Sequence, residues 1–152
     1  MPPPARTPIG LVLARTARTA SRAFDEALGG AGGSLPVWLI LLTLQTRQLG
    51  NQRELADAVG IRGATLTHHL NAMEADGLVT RHRDPANRRS HHVELTPAGE
   101  AMFRQLAGAA VAFDQRLRSG LDDQDLDVLD QLLSRLHANI TGEPTATGSP
   151  GD

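Results

Sequence analysis

The chain has 152 residues, 40% hydrophobic and 21% charged, a composition that suits one globular domain and excludes a disordered or membrane chain. It has no cysteine, which rules out disulfides, thiolate metal sites and thiol nucleophiles, and no apolar run nears the roughly 20 residues of a membrane span. The net charge of −2 averages opposite patches, four Arg and three His against Asp84 alone from Arg81 to His92, and five Asp without a base from Asp122 to Asp130. Local patches rather than the total decide how a surface meets a polyanion, so near-neutrality excludes little.

In chain order, Met1–Arg6 lacks the apolar core of a signal peptide, which places the protein in the cytoplasm, and residues 1–6 are expected to be disordered. Thr7-Pro8 predicts a helix start, with Thr7 as cap and Pro8 in the first turn. Leu13, Ala17, Ala20, Phe24 and Leu28 follow at helical spacing until Gly29-Gly30 stops the helix, with Gly29–Gly33 as a turn or linker. Ser34 caps a second helix carrying Pro36 in its first turn, and Trp38, Leu41, Leu42 and Leu44 make it apolar nearly all round, as a buried helix is.

Asn51 and Glu54 have capping-box spacing and open a third helix that ends near Val59-Gly60. A fourth runs from Gly63 to Asp76 and stops at Gly77. Its Leu66, Leu70 and Met73 form one stripe, leaving Thr65, Thr67, His68, Asn71 and Ala72 on other faces. Leu78–Arg83 and Ser90–Leu95 read as two strands around the turn Asp84–Arg89, where Pro85 and Asn87 are turn residues. Thr96-Pro97 starts a fifth helix by the device of Thr7-Pro8. Leu121-Asp122-Asp123 begins a sixth, with Leu126, Leu129, Leu133, Leu136 and Ile140 on one side. From Thr141 the chain is rich in Gly, Pro, Ser and Thr, the composition of a disordered tail.

Two short helices joined by Gly60-Ile61-Arg62 have the length and glycine content of a helix-turn-helix. In such a motif the second helix enters the major groove of double-stranded DNA with its N-terminal residues on base edges. Here those are Arg62, Ala64, Thr65, Thr67 and His68. Arg suits guanine, Thr either kind of edge, and Ala a thymine methyl. Such spacing also arises in ordinary helical hairpins, so the hairpin behind it matters. An Arg-tipped hairpin directly after a helix-turn-helix makes a winged helix whose tip can enter the narrow, electronegative minor groove. Arg88 and Arg89 are placed to insert, with Arg81 and Arg83 nearer the phosphates.

Leu35-Pro-Val-Trp38, Arg53-Glu-Leu-Ala56, Glu74-Ala-Asp-Gly-Leu-Val79, Asp84-Pro-Ala-Asn-Arg-Arg89 and Leu95-Thr96-Pro-Ala-Gly99 together resemble the multiple-antibiotic-resistance-regulator (MarR) family, over roughly Thr7 to Ile140. The wing is the most specific part: Asp-x-Arg, five residues, then Leu-Thr, with the Arg at Arg89 and Leu-Thr at Leu95-Thr96. Two departures stand out. Asn87 replaces the acid that helps hold the wing arginines in the family, a part Asp84 is placed to take over. Ala64 and His68 stand where the family often has Ser and Arg.

The resemblance implies a bacterial, ligand-responsive transcription repressor that binds a palindromic operator as an obligate homodimer, with the first, fifth and sixth helices interleaved. Independently, the terminal helices carry apolar stripes that a domain of this size cannot cover alone. The fold expected is mainly α with a small β-hairpin wing. A dimerisation helix and linker span 7–33, the winged helix-turn-helix 34–96, C-terminal dimerisation helices 97–140, and a disordered tail 141–152. The resemblance also implies a pocket for a small aromatic or anionic effector, with Arg18 and Trp38 as lining candidates, although a lone Trp at position 38 better suits a core anchor in the second helix.

The six His invite a metal reading. His68-His69 and His91-His92 are adjacent pairs whose side chains diverge, and no His pair has helical ligand spacing, so no intrinsic metal or cofactor is expected. Gly29–Ser34 lacks the Gly-Lys-Ser/Thr of a phosphate loop, and Ser34 lacks a nucleophile elbow, so no enzyme is expected either. The rival from another class is a winged-helix protein-interaction module without specific DNA binding.

Overall fold

The computed structural model describes residues 6–47, 51–87 and 89–142. Its elements run α1 (Ile9–Gly30), α2 (Leu35–Thr46), α3 (Gln52–Val59), α4 (Gly63–Ala75), β1 (Val79–Arg83), β2 (His91–Leu95), α5 (Pro97–Leu117) and α6 (Asp123–Thr141). The expected mainly helical fold with one hairpin is the observed one. Two compact units divide at Phe113/Asp114, within α5. No single helix among the described residues is long and apolar enough to cross a membrane.

The core of the first unit is Leu28, Ile40, Leu41, Leu55, Ala56, Leu66, Leu70, Met73, Val79 and Leu106. Each is at most 5% exposed, and full burial of a large aliphatic side chain contributes about 1.5–3 kcal/mol. α2 lies in the middle: every residue from 35 to 44 is buried or half-buried, as its all-round apolar sequence demands. The α1 stripe is fully buried only at its C-terminal end, with Leu13 and Ala20 half-buried. Leu28 is buried and Phe24 stacks on Phe113 at 5.0 Å, whereas Ala17 is exposed.

Capping residues set most of the helix starts. Ser34 accepts from the Val37 N–H, and Asn51 from that of Glu54. Asp122 and Asp125 form a reciprocal capping box at α6. Thr96 accepts from the Gly99 N–H at α5, as expected. Thr7 does not act so. Pro8 itself occupies the cap position of α1, at φ −53° and ψ 132°, and its carbonyl accepts from Leu11 and Val12. Gly29 and Gly30 are still helical, and the chain turns at Gly32 with φ 91°. At the other end α6 includes Thr141 and is closed by Gly142 at φ 71°, so the helix reaches one residue into the stretch expected to be tail; residues 143–152 lie outside the described ones.

β1 and β2 are antiparallel, pairing Val79 with Leu95, Arg81 with Val93 and Arg83 with His91. Period-two alternation turns Val79, Arg81, Val93 and Leu95 toward the protein and Thr80 and Glu94 outward. Thr96 ties the hairpin's end down, its hydroxyl donating to the Gly77 carbonyl and its N–H to that of Leu78. Gly99 is required by the same junction, because a Cβ there would lie 2.0 Å from the Leu78 carbonyl oxygen.

In the second unit α6 stands as a capped helix with no buried residue. Val128, Leu129, Leu132 and Leu133 are 44–50% exposed.

Candidate nucleic-acid interface

Gly60 closes α3 in left-handed backbone, φ 78°, and its N–H and that of Ile61 both donate to the Ala56 carbonyl. Side chains with a Cβ are strained there, which accounts for the glycine. Ile61 packs against the core while Arg62 beside it stays exposed. The three-residue turn is thereby pinned by one apolar side chain.

Unlike α2, α3 and α6, α4 has no side-chain cap. Its first N–H groups and the positive end of its dipole are left for solvent or an outside anion. Ala64, Thr65 and His68 are exposed, and the His68 ring meets His69 edge-on at 5.7 Å. Thr67 is placed differently. It is half-buried, donates to the Gly63 carbonyl at 2.9 Å, and accepts from Gln52 Nε2 at 2.8 Å.

The wing arginines also divide. Arg83 and Arg89 are exposed, and Arg88 lies outside the described residues. Arg81 is turned back onto α4, its Nε 2.9 Å from Glu74 Oε2 and its Nη2 2.6 Å from Asn71 Oδ1. That hydrogen bond is the chief reason the Glu74 carboxyl is held below its ordinary pKa.

The turn of the wing is built from short-range bonds. Asp84 N–H donates to Ser90 O, Ser90 N–H to Asn87 O, and Asn87 N–H to Asp84 O. Asp84 Oδ1 accepts from Ala86 N–H, and Asn87 Oδ1 from Arg89 N–H. An amide therefore serves at position 87 as backbone acceptor; what it lacks against a carboxylate is charge. Asp84 Oδ2 lies 3.5 Å from His92 Nε2, and among the described residues no arginine pairs with Asp84. Between the start of α3 and the turn of the wing an open cleft is lined by Asn51, Gln52, Arg53, Asn87, Arg89, Ser90 and His91, three of them basic and none acidic.

The two effector candidates fall apart in character. Arg18 is exposed on α1, while Trp38 stacks on Phe103 at 5.5 Å and packs against the core. Neither lines the clefts at α3–α4, between the start of α3 and the turn of the wing, or between α2 and β2.

The profile of the MarR family matches residues 34–91. The transcriptional regulator PA3341, a solved structure, is 32% identical, with a TM-score of 0.71 over 90% of this chain and 100% of its own. The chain belongs to the MarR family. AbsC from Streptomyces coelicolor, a MarR family transcriptional regulator, is 25% identical, with a TM-score of 0.74 over 91% of this chain and 98% of its own. The transcriptional repressor CouR, solved on a 23-mer DNA duplex, is 27% identical, with a TM-score of 0.76 over 86% of this chain and 92% of its own. This MarR protein is accordingly a transcriptional regulator of a DNA-binding class. Its Leu95-Thr96-Pro-Ala-Gly99 stretch has a physical reading: Thr96 caps α5 and pins the hairpin, and Gly99 admits the Leu78 backbone.

Sequence reasoning did not single out Gln52 or Glu74, and it assigned Asn71 no role. One signal for two of them was available, because Thr67, Asn71 and Glu74 recur at i, i+4 and i+7.

Proposed function

We propose that this regulator represses transcription in the cytoplasm by occupying a palindromic operator as a homodimer, and that a small aromatic or anionic effector releases it. The observation that carries DNA binding is the uncapped α4, exposing Arg62, Ala64, Thr65 and His68 beside an arginine wing. In this reading those four face the bases. Arg83, Arg88 and Arg89 meet backbone or minor groove, and the basic cleft between the start of α3 and the turn of the wing lies along the phosphates. Thr67 and Arg81 stand beside them with polar atoms already engaged within the protein.

Support for a dimer comes from the large apolar side chains that one chain leaves open. These are Ile9, Leu11 and Val12 on α1, Val111 and Leu117 on α5, and Leu129, Leu132 and Leu133 on α6. A two-fold dimer places two copies of α4 a helical turn of DNA apart, which is what a palindrome requires. For the effector, Arg18 and Trp38 remain the candidates, Arg18 as a charged partner and Trp38 as an aromatic wall beside Phe103.

Footprinting on the DNA upstream of the gene tests the reading. Protection of a palindrome, with affinity for it about a thousandfold or more above random DNA, is expected. Equal affinity for every duplex, or none with the dimer intact, overturns it in favour of a protein-interaction module.

A further inference from the structure

α4 packs on the core through Leu66, Leu70 and Met73 alone. Apolar contact is non-directional, so this stripe holds the helix down without fixing how far it is rolled about its own axis. Roll matters for reading bases. Side-chain atoms stand about 5–6 Å from a helix axis, so a roll of roughly 20° moves them about 2 Å. That is enough to break a hydrogen bond to a base edge.

A polar line supplies the missing direction. Thr67, Asn71 and Glu74 share one side of α4, roughly 100° round the helix from the buried stripe. Each is gripped from another element. From α3, Gln52 Nε2 donates to Thr67 Oγ1 at 2.8 Å. From β1, Arg81 reaches Glu74 at 2.9 Å and Asn71 at 2.6 Å with two arms of one planar fork. The Arg81 side chain is only 19% exposed. Its charge lies along the helix, not out toward a phosphate.

We propose that Gln52 and Arg81 are positioning residues that clamp α4 from its two ends and set its roll, so that Ala64, Thr65 and His68 meet the base edges while Thr67 serves as the handle Gln52 holds. This rests on the operator-binding reading. The two grips act on the helix at residues 67 and 71–74, about one to two turns apart. Arg81 also couples α4 to the wing, since its backbone belongs to the hairpin paired with Val93.

The test uses the full chain, its footprinted operator and a random duplex, each titrated over a salt series. Arg81→Ala and Gln52→Ala should each weaken the operator roughly ten- to hundredfold, the scale of a lost base contact, while random-DNA affinity and the salt slope stay as in the wild type. Arg81→Lys restores charge without the fork, so it should recover little of the operator affinity. In an Asn71→Ala/Glu74→Ala background Arg81→Ala should cost almost nothing more. A salt slope smaller by about one with equal losses on both duplexes makes Arg81 a phosphate contact and overturns the clamp. Full operator affinity in both single variants overturns it too. Thermal melts accompany each variant, and if Arg81→Ala fails to fold, Gln52→Ala and the lysine variant decide alone. A wild-type chain that does not separate operator from random DNA removes the operator reading instead, and the clamp with it.

Discussion

Leu66, Leu70 and Met73 of α4 and Leu129, Leu132 and Leu133 of α6 are alike in chemistry, and each set lies on one face of its helix. The first three are at most 2% exposed, and the last three are 44–50% exposed. Between α2 and β2 the chain buries its own stripes with its own elements, and α1 and α5 add Leu28 and Leu106 to the same core. The outer parts of α1, α5 and all of α6 do not find such cover within one chain. Periodicity tells which face of a helix asks to be covered. It does not tell what covers it. In our reading the central region is finished by one copy, and the terminal helices are finished by a second.

Substitutions separate the two regions by size and by dependence on concentration. The largest effect belongs to the self-sufficient core, where Leu70→Ala should cost about 2–5 kcal/mol in urea or thermal unfolding. The cost should appear without loss of dimer. Gly99→Ala should follow at about 1–3 kcal/mol, because its Cβ meets the Leu78 carbonyl and the hairpin junction must shift. Calorimetry that finds Gly99→Ala neutral would show that this junction yields.

For α6, Leu133→Asp should dissociate the dimer, since it puts an unpaired charge into the seam. The wild-type melting temperature should rise with protein concentration, and that dependence should vanish in Leu133→Asp. Were α6 an ordinary exposed helix, the substitution would change little at any concentration. The smallest effect on stability is expected at the wing. Arg88→Ala with Arg89→Ala should leave melting and dimerisation nearly unchanged while DNA affinity falls. The slope of log affinity against log salt should shrink by up to about two if both contact phosphate.

What the sequence made legible follows the same division. Local signals were mostly readable where a residue acts on its own backbone: Ser34, Asn51 and Thr96 as caps, and Gly60 and Gly77 as helix stops. Thr7 misled because a proline directly before a helix can take the cap position itself, which leaves the threonine idle. The stripe of α4 was readable because only one of its faces is apolar. The hydrogen bonds across its flank were not, since Gln52 lies 15 residues before Thr67 and Arg81 lies 7 and 10 after Glu74 and Asn71. Spacing along one helix shows that Thr67 is off the buried stripe. Whether it looks at DNA or at α3 is settled by tertiary packing. Trp38 shows the same limit: its apolar helix was evident, its stacking on Phe103 was not.

Sedimentation equilibrium of the wild-type chain, from nanomolar to tens of micromolar, tests the central claim most directly. Our account predicts twice the 16.2 kDa mass of one chain across the micromolar range, with Leu133→Asp shifted to single copies that keep their helical content. A well-folded wild-type monomer at micromolar concentration would contradict it.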